Sequence, residues 1–481
     1  MSLEGLLTYF GLLAAALAIM GPVQRRALAL FVPRWLLPLS TIAALAFLIF
    51  RDTPLAIPPP FGWRLDLVIY LLTLGAFVLP MSAAVIAWML WFNAKLSSRN
   101  LPQLEPFLQT ALREGEFDEV DRVLRRNHDR LARIPSGAAT VLFNPRLVHQ
   151  MVSSHSFVHL ELLAQRPFME SLENRLKAVE TVVREILMAE VSPLQSAVVD
   201  RYEGIEHLQY TDSERALMAA TFEDPHWYHD TNAHYPLIIT AMNRIESGEL
   251  DAFYNQPDEN YVATQGVSKR ATCPLYLAIK TEVIAIGSAI DKGVDKDFYI
   301  SDLWQILMKI HSHSKYPAAL AKSGLYGPFT PFTYLMNEIT SDFESLTEKA
   351  VHMSVQRDQG IPKGSTGVML VKMWCLSIWH LMREPDRFNP DHLDQIVKCY
   401  FRFMFALGWQ PSEILHAGQS AASLIAWRDI FLEQLEDCSK HAGPEHFTVL
   451  HRVFKSLDWG KPFISDGYDW LQTKLHSNFF P

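Results

Sequence analysis

Histidine is the residue type through which this chain first suggests chemistry. It occurs eighteen times, and three copies fall in the run Asp224-Pro-His-Trp-Tyr-His-Asp-Thr-Asn-Ala-His234. Asp224 followed by Pro225 reads as a helix N-cap with proline in the first turn. On a helix begun there, His226, His229, Asp230 and His234 share roughly one face. Imidazole and carboxylate groups at i, i+3, i+4 spacing can bind a divalent transition metal. The same spacing also suits a solvated or core-lining histidine cluster, which is the preferred reading. No cofactor is expected.

The dipeptide His229-Asp230 also resembles part of the H…HD…D set of helical metal phosphohydrolases. That resemblance needs a histidine from an earlier helix, for which His207 is available, and a later aspartate that the sequence does not identify. A second dipeptide of the same kind, His128-Asp129, shows how little the pair alone specifies. A metal-dependent phosphohydrolase is therefore a second alternative only.

The sharpest charged pattern is Arg122, Arg126, Arg130 and Arg133. At 100° per residue these fall within an arc of about 80°, opposite Val120, Leu124 and Leu131. Such a stripe could hold anionic lipid headgroups, at about 1 kcal/mol per residue near the surface, or another anionic ligand. The competing reading is a solvated face tied to neighbours such as Glu119 and Asp129 at i, i+3 or i+4. Two further motifs fail on context. Gly360-Ile-Pro-Lys-Gly-Ser-Thr-Gly367 puts its lysine before the second glycine, unlike a P-loop, and Ser365 and Thr366 read as caps of the helix that follows. His416-Ala-Gly-Gln-Ser-Ala-Ala422 approximates a nucleophile elbow but lies among helices. Cys273, Cys375, Cys399 and Cys438 have no zinc or redox spacing and point to a reducing compartment.

These residues must be positioned by two unlike parts of a chain of 481 residues, 49% hydrophobic, with net charge −9. That composition excludes a disordered chain and a small disulfide scaffold. The apolar excess sits in residues 1–92, in stretches of about Leu3–Met20, Leu28–Phe50 and Leu65–Phe92. A spanning helix needs about 20 apolar residues, so three transmembrane helices are expected. Arg25, Arg26, Arg34, Lys95 and Arg99 flank one side, and Arg51 and Arg64 the other. This bias predicts an inner-membrane, multi-pass protein with its N-terminus outside and everything after residue 93 in the cytoplasm. The spans hold no deep ionisable residue, so no proton relay or coupled-transport site is visible. Pairs such as Ala83/Ala87 permit close helix contact.

With +2 on the first 92 residues, residues 93–481 carry −11, which makes direct nucleic-acid binding improbable on charge grounds. Their periodicity is helical and few runs alternate as strands do, so the expected class is all-α, an irregular helical-array cytosolic domain without a fixed repeat. Internal boundaries are expected near 255–272 and 359–366. Gly115 separates two amphipathic stretches, so Leu104–Leu131 reads as an αα-hairpin. Val368–Met382 and Tyr400–Trp409 are nearly apolar all round and read as helices buried by their neighbours.

No catalytic constellation stands out, so a non-enzymatic role is favoured over an enzymatic one. The leading expectation is a membrane-anchored helical scaffold or sensor that docks a protein partner at the cytoplasmic face. The first alternative is an oligomeric membrane effector, whose cytosolic domain senses a ligand or partner and whose spans perturb the bilayer. The expected partners are membrane lipid, a protein, and further copies of the chain.

Overall fold

The structure is a computed structural model that describes residues 17–52, 65–93, 95–97, 100–131, 136–154, 158–164, 172–189, 220–258, 273–294, 298–317, 329–356, 365–409, 421–457 and 462–474, with a few single positions besides. The described residues are helical throughout, with no strand among them, as the periodicity predicts. The chain divides into two compact units, Met1–Glu185 and Ile186–Pro481.

The first unit contains α1 (Pro22–Phe31), α2 (Leu36–Asp52) and α3 (Leu65–Asn93). They are followed by α4 (Leu104–Glu114), α5 (Asp118–Leu131), α6 (Ser136–Leu142), α7 (Pro145–Ser153), α8 (Val158–Ala164) and α9 (Leu172–Met188). Helices α2 and α3 pack as a pair along their length. Small side chains allow the approach: Ala44, Leu48 and Ala76 are buried together, with Phe47 against them. Ala83 and Ala87 are also buried, at 4% and 6% exposure.

The outward faces of this pair are apolar and uncovered. Ile42, Ile49, Tyr70, Phe77 and Val85 are each about half exposed or more. Residues Leu67–Asn93 form one helix long and apolar enough to cross a membrane, and only 17% of its most apolar window is buried. A core helix of a water-soluble fold would have this apolar surface covered.

The expected second stretch, Leu28–Phe50, is two helices rather than one rod. Residues 22–31 and 36–50 meet at a bend of 78°. Pro33 supplies the physical reason, because it lacks an N–H and disfavours helical geometry at the residue before it. Val32 is accordingly extended, at φ −98° and ψ 125°. Residues 22–27, which fall between the first two expected stretches, belong to α1, which buries Val23, Ala27, Leu30 and Phe31. It packs against α3, α4 and α5. Gly115 ends α4 with φ 72°, and its N–H donates to the Ala111 carbonyl at 2.8 Å. Thus α4 and α5 do follow one another through a turn, but α1 packs against both. Most of Leu3–Met20 lies outside the described residues.

The second unit contains α10 (Pro225–Asp230), α11 (His234–Glu246), α12 (Asp251–Tyr254), α13 (Pro274–Lys292) and α14 (Phe298–His313). After these come α15 (Pro331–Gln356), α16 (Thr366–Arg383), α17 (Pro390–Trp409), α18 (Ala421–Ser439), α19 (Pro444–Lys455) and α20 (Pro462–Lys474). Helix α16 contacts α14, α15, α17, α18 and α19, which explains its nearly all-apolar sequence. Trp374 and Leu381 are at most 1% exposed. Helix α17 likewise buries Tyr400, Phe401, Met404 and Phe405. Ser365 caps α16 by accepting from the Val368 N–H at 3.4 Å, so the phosphate-loop-like motif ends in a helix cap. Residues 360–364 and 410–420, and most of the expected boundary 255–272, lie outside the described residues.

Candidate functional site

Helix α1 packs against α3, and the side-chain hydrogen bonds that reach the end of α3 come from α5. The register of that helix is set by Val120, Val123, Leu124 and Leu131, all fully buried. Burying this face points Arg122, Arg126 and Arg130 away from it. In the structure these three side chains meet residues 91–96, at and just after the end of α3.

Arg122 Nη1 donates to the Trp91 carbonyl at 3.1 Å and to the Phe92 carbonyl at 3.5 Å. Its Nε donates to Glu119 Oε2 at 2.9 Å, and its Nη2 also bonds Glu119. The indole Nε1 of Trp91 donates to Glu119 Oε1 at 3.2 Å. The Arg122 guanidinium also lies 5.4 Å from the Trp91 ring centre, and that of Arg126 lies 5.0 Å from Phe92. Arg130 Nη1 bonds the Leu96 carbonyl. Asn127, 1% exposed, accepts from the Leu96 N–H at 2.7 Å and donates to the Val123 carbonyl at 2.8 Å.

This arrangement satisfies an elementary need. The last four carbonyls of a helix have no intrahelical partner and carry a partial negative charge. Arg122 meets two of them from another helix, while Glu119 balances its charge and fixes its planar fork. Asn127 and Arg130 grip both polar groups of Leu96. Together they form a clamp on the end of α3. Arg133 lies outside the described residues.

The histidine run is arranged differently from the sequence expectation. Asp224 does cap α10, its Oδ1 accepting from the N–H groups of His226 at 3.0 Å and Trp227 at 3.3 Å. The helix then stops after six residues, at Asp230. Asn232 takes a left-handed conformation, φ 56°, which ends it, and His234 starts α11. The four residues therefore do not share one helical face. His226 and Asp230 are exposed. The ring of His234 lies 4.9 Å from that of Tyr299 and 6.2 Å from that of Tyr228. Burial, helped by the neighbouring charge of His229, lowers its pKa to about 4. Among the described residues no group of three or more His, Cys, Asp or Glu side chains is placed to hold a metal ion. His207 lies outside them.

Beside the histidines is a buried acid that the sequence pattern hides. Glu282 of α13 is fully buried and accepts a hydrogen bond from the Tyr228 hydroxyl. Burial pushes its carboxyl well above the usual range despite that bond. Asp302, also desolvated, is raised to about 6. Two residues before Glu282 on α13, Lys280 bonds Asp342 at 2.8 and 2.7 Å and pairs with Glu338 at 2.8 Å. Burial alone would lower the pKa of this amine, but the two carboxylates outweigh it and hold the amine charged. Cys375 and Cys438, 63 residues apart, have sulfurs 3.6 Å from each other and remain free thiols. No spacing rule links such a distant pair.

No family model matches the chain, and no curated protein does. Among solved structures it is similar to a circular tandem repeat protein with novel repeat topology and enhanced subunit contact surfaces. The likeness is 14% in identity over 94% of this chain and 98% of the other, with a TM-score of 0.27. At that score the likeness carries no argument about fold or function.

Proposed function

We propose that this protein is a membrane-anchored helical scaffold or sensor that docks a protein partner at the cytoplasmic face of the inner membrane. The observation that carries the reading is the uncovered apolar α2–α3 pair, tied at its end to a helical unit by the α5 clamp. A clamp of this kind transmits position: a partner that shifts α5 shifts the end of α3. The proposed spans are residues 3–20, 36–50 and 65–93, with α1 lying along the cytoplasmic surface. Five basic residues on the clamp side against two on the other set the orientation. Stacked helices offer extended surfaces suited to protein recognition, and the excess negative charge of residues 93–481 favours a partner with a basic face.

The test is mild extraction of the tagged chain from its native membrane, followed by measurement of complex mass and of its components. A defined heteromer whose second protein crosslinks to residues beyond 93 is expected. A ring made of this chain alone would replace the scaffold reading with the membrane-effector one, and dye leakage from liposomes would then be the next measurement.

A further inference from the structure

The bend between α1 and α2 forms a groove that neither the clamp nor the scaffold role requires. Its volume is about 480 Å³. The groove is lined by Leu28, Ala29, Val32 and Leu37, with Arg25 and Arg34 among the lining residues and no acidic side chain among them. Both arginines are exposed. Arg25 spends its Nε on the Met20 carbonyl at 3.0 Å. Neither forms an ion pair among the described residues, in contrast to Arg122 and Arg125 of α5, which are matched to Glu119 and Asp121.

We propose that this groove is a binding site for one anionic phospholipid. Its phosphate would sit between Arg25 and Arg34, and an acyl chain would run along the apolar start of α2. The proposal rests on the membrane reading above.

Three features converge on that ligand. Two guanidinium groups that form no ion pair among the described residues, in a groove whose lining residues include no carboxylate, fit a phosphodiester, which arginine can bind through a planar fork. Helix α2, 17 residues long, begins at the groove, with Leu37 and Pro38 of its first turn among the lining residues, so the partial positive charge of that end lies near the arginines. The groove wall continues into Leu37 and Thr41 of α2, the helix whose outward side bears Leu39, Ile42 and Ile49, at 55%, 63% and 65% exposure. A free phosphate would use the arginines and leave that apolar wall bare. A neutral lipid would cover the wall and leave two charges unmatched. A lipid with an anionic headgroup satisfies both. Trp35 and Trp88, 62% and 60% exposed near the ends of α2 and α3 on this side, suit the level of the headgroups.

The site has a consequence for the proposed scaffold. Helix α1 packs against α4 and α5 through its buried face and reaches the groove through Leu28 and Ala29. A bound headgroup would therefore fix α1 between the bilayer and the helices that carry the clamp.

The experiment uses the full chain in nanodiscs of phosphatidylcholine containing a small fraction of phosphatidylglycerol. Lipid retention is then read by native mass spectrometry after release into detergent. One phosphatidylglycerol per chain is expected to persist. At about 1 kcal/mol per basic residue, the double variant Arg25→Gln/Arg34→Gln should retain it roughly 30-fold more weakly. Arg26→Gln, on the same helix but outside the groove, should behave as the parent. Equal loss in Arg26→Gln, or no loss in the double variant, overturns the site. Displacement by millimolar glycerol 3-phosphate as effective as that by added lipid would show a phosphate site instead and also overturns it. Carbonate extraction of native membranes reports separately on the membrane reading. Release of the chain there would refute the anchor itself, whereas a carbonate-resistant chain without selective retention refutes only the groove.

Discussion

At the scale of single residues, Arg122 is the side chain on which the junction most depends. Its side chain is 25% exposed and that of Glu119 is 14% exposed, so the pair is partly shielded from water. Replacing Arg122 by Ala would leave Glu119 close to the negative end of α3 and two carbonyls without their donor. Hydrogen bonds to charged groups are worth about 1.5–3 kcal/mol, so a loss of about 2 kcal/mol is expected. Urea unfolding in mild detergent would measure it. Arg125, paired with Asp121 and 48% exposed, should cost less than about 0.5 kcal/mol on the same change. His159 gives a second test. It is 1% exposed, contacts the Leu142 carbonyl at 2.9 Å, and has its pKa lowered by burial to about 4. The unfolded chain therefore binds a proton on this residue below its ordinary pKa while the folded chain does not. Its contribution is complete above about pH 6.5 and falls away as the pH drops towards 4, by about 3 kcal/mol in all. His159→Gln should flatten the stability profile in that window and leave its slope above pH 7 unchanged. The sequence showed that Arg122, Arg126 and Arg130 share a face, because helical periodicity is local. It did not show that the face meets residues 91–96, because that contact depends on how α3 and α5 are placed in space, not on local periodicity.

At the scale of elements, the starts of helices were the most legible features. Asp224 and Ser365 cap helices where the sequence placed caps, and Asn389 accepts from the Asp391 and His392 N–H groups at 2.9 and 3.3 Å. Each is a short-range hydrogen bond written in adjacent residues. Helix ends were less legible. The stop after Asp230 depends on Asn232 adopting φ 56°, a choice favoured for asparagine but not compelled. The α1–α2 break was signalled by Pro33 but masked by apolar residues on both sides of it. Packing between elements adds constraints that no periodicity contains. Gly367 opens α16, and a Cβ there would sit 2.5 Å from Trp427 Cη2 and 3.2 Å from Ala350 Cβ. Gly367→Ala should therefore force α16 from α18 and destabilise the second unit by about 1–3 kcal/mol, despite alanine's better helix propensity. Differential scanning calorimetry, with Gly115→Ala compared alongside, separates the causes. Gly115 has open space around it but a positive φ, so its cost comes from the backbone alone.

At the scale of the whole molecule, the decisive property is where apolar surface is left uncovered. Helices α16 and α17 of the second unit turn their large aromatic residues inward: Trp374, Tyr400, Phe401 and Phe405 are at most 1% exposed. Helices α2 and α3 do the reverse, with small residues facing each other and large ones outward. That inversion is expected where hydrocarbon rather than water surrounds a helix pair, since close approach then depends on small side chains. Phe77 makes the distinction measurable. It lies near the middle of α3 and is 49% exposed. In water, Phe77→Asp would replace an exposed apolar group by a solvated charge and cost little. At the centre of a bilayer a carboxylate costs about 2.5–3.5 kcal/mol, enough to shift insertion by roughly a hundredfold. The expected outcome is therefore a sharp fall in the carbonate-resistant fraction of the chain. Asp at Phe92, at the end of α3, should have a much smaller effect because its group can reach the interface. Equal insensitivity at both positions would mean that α3 meets water or protein along its whole length, and the anchor would have to be sought elsewhere in the chain.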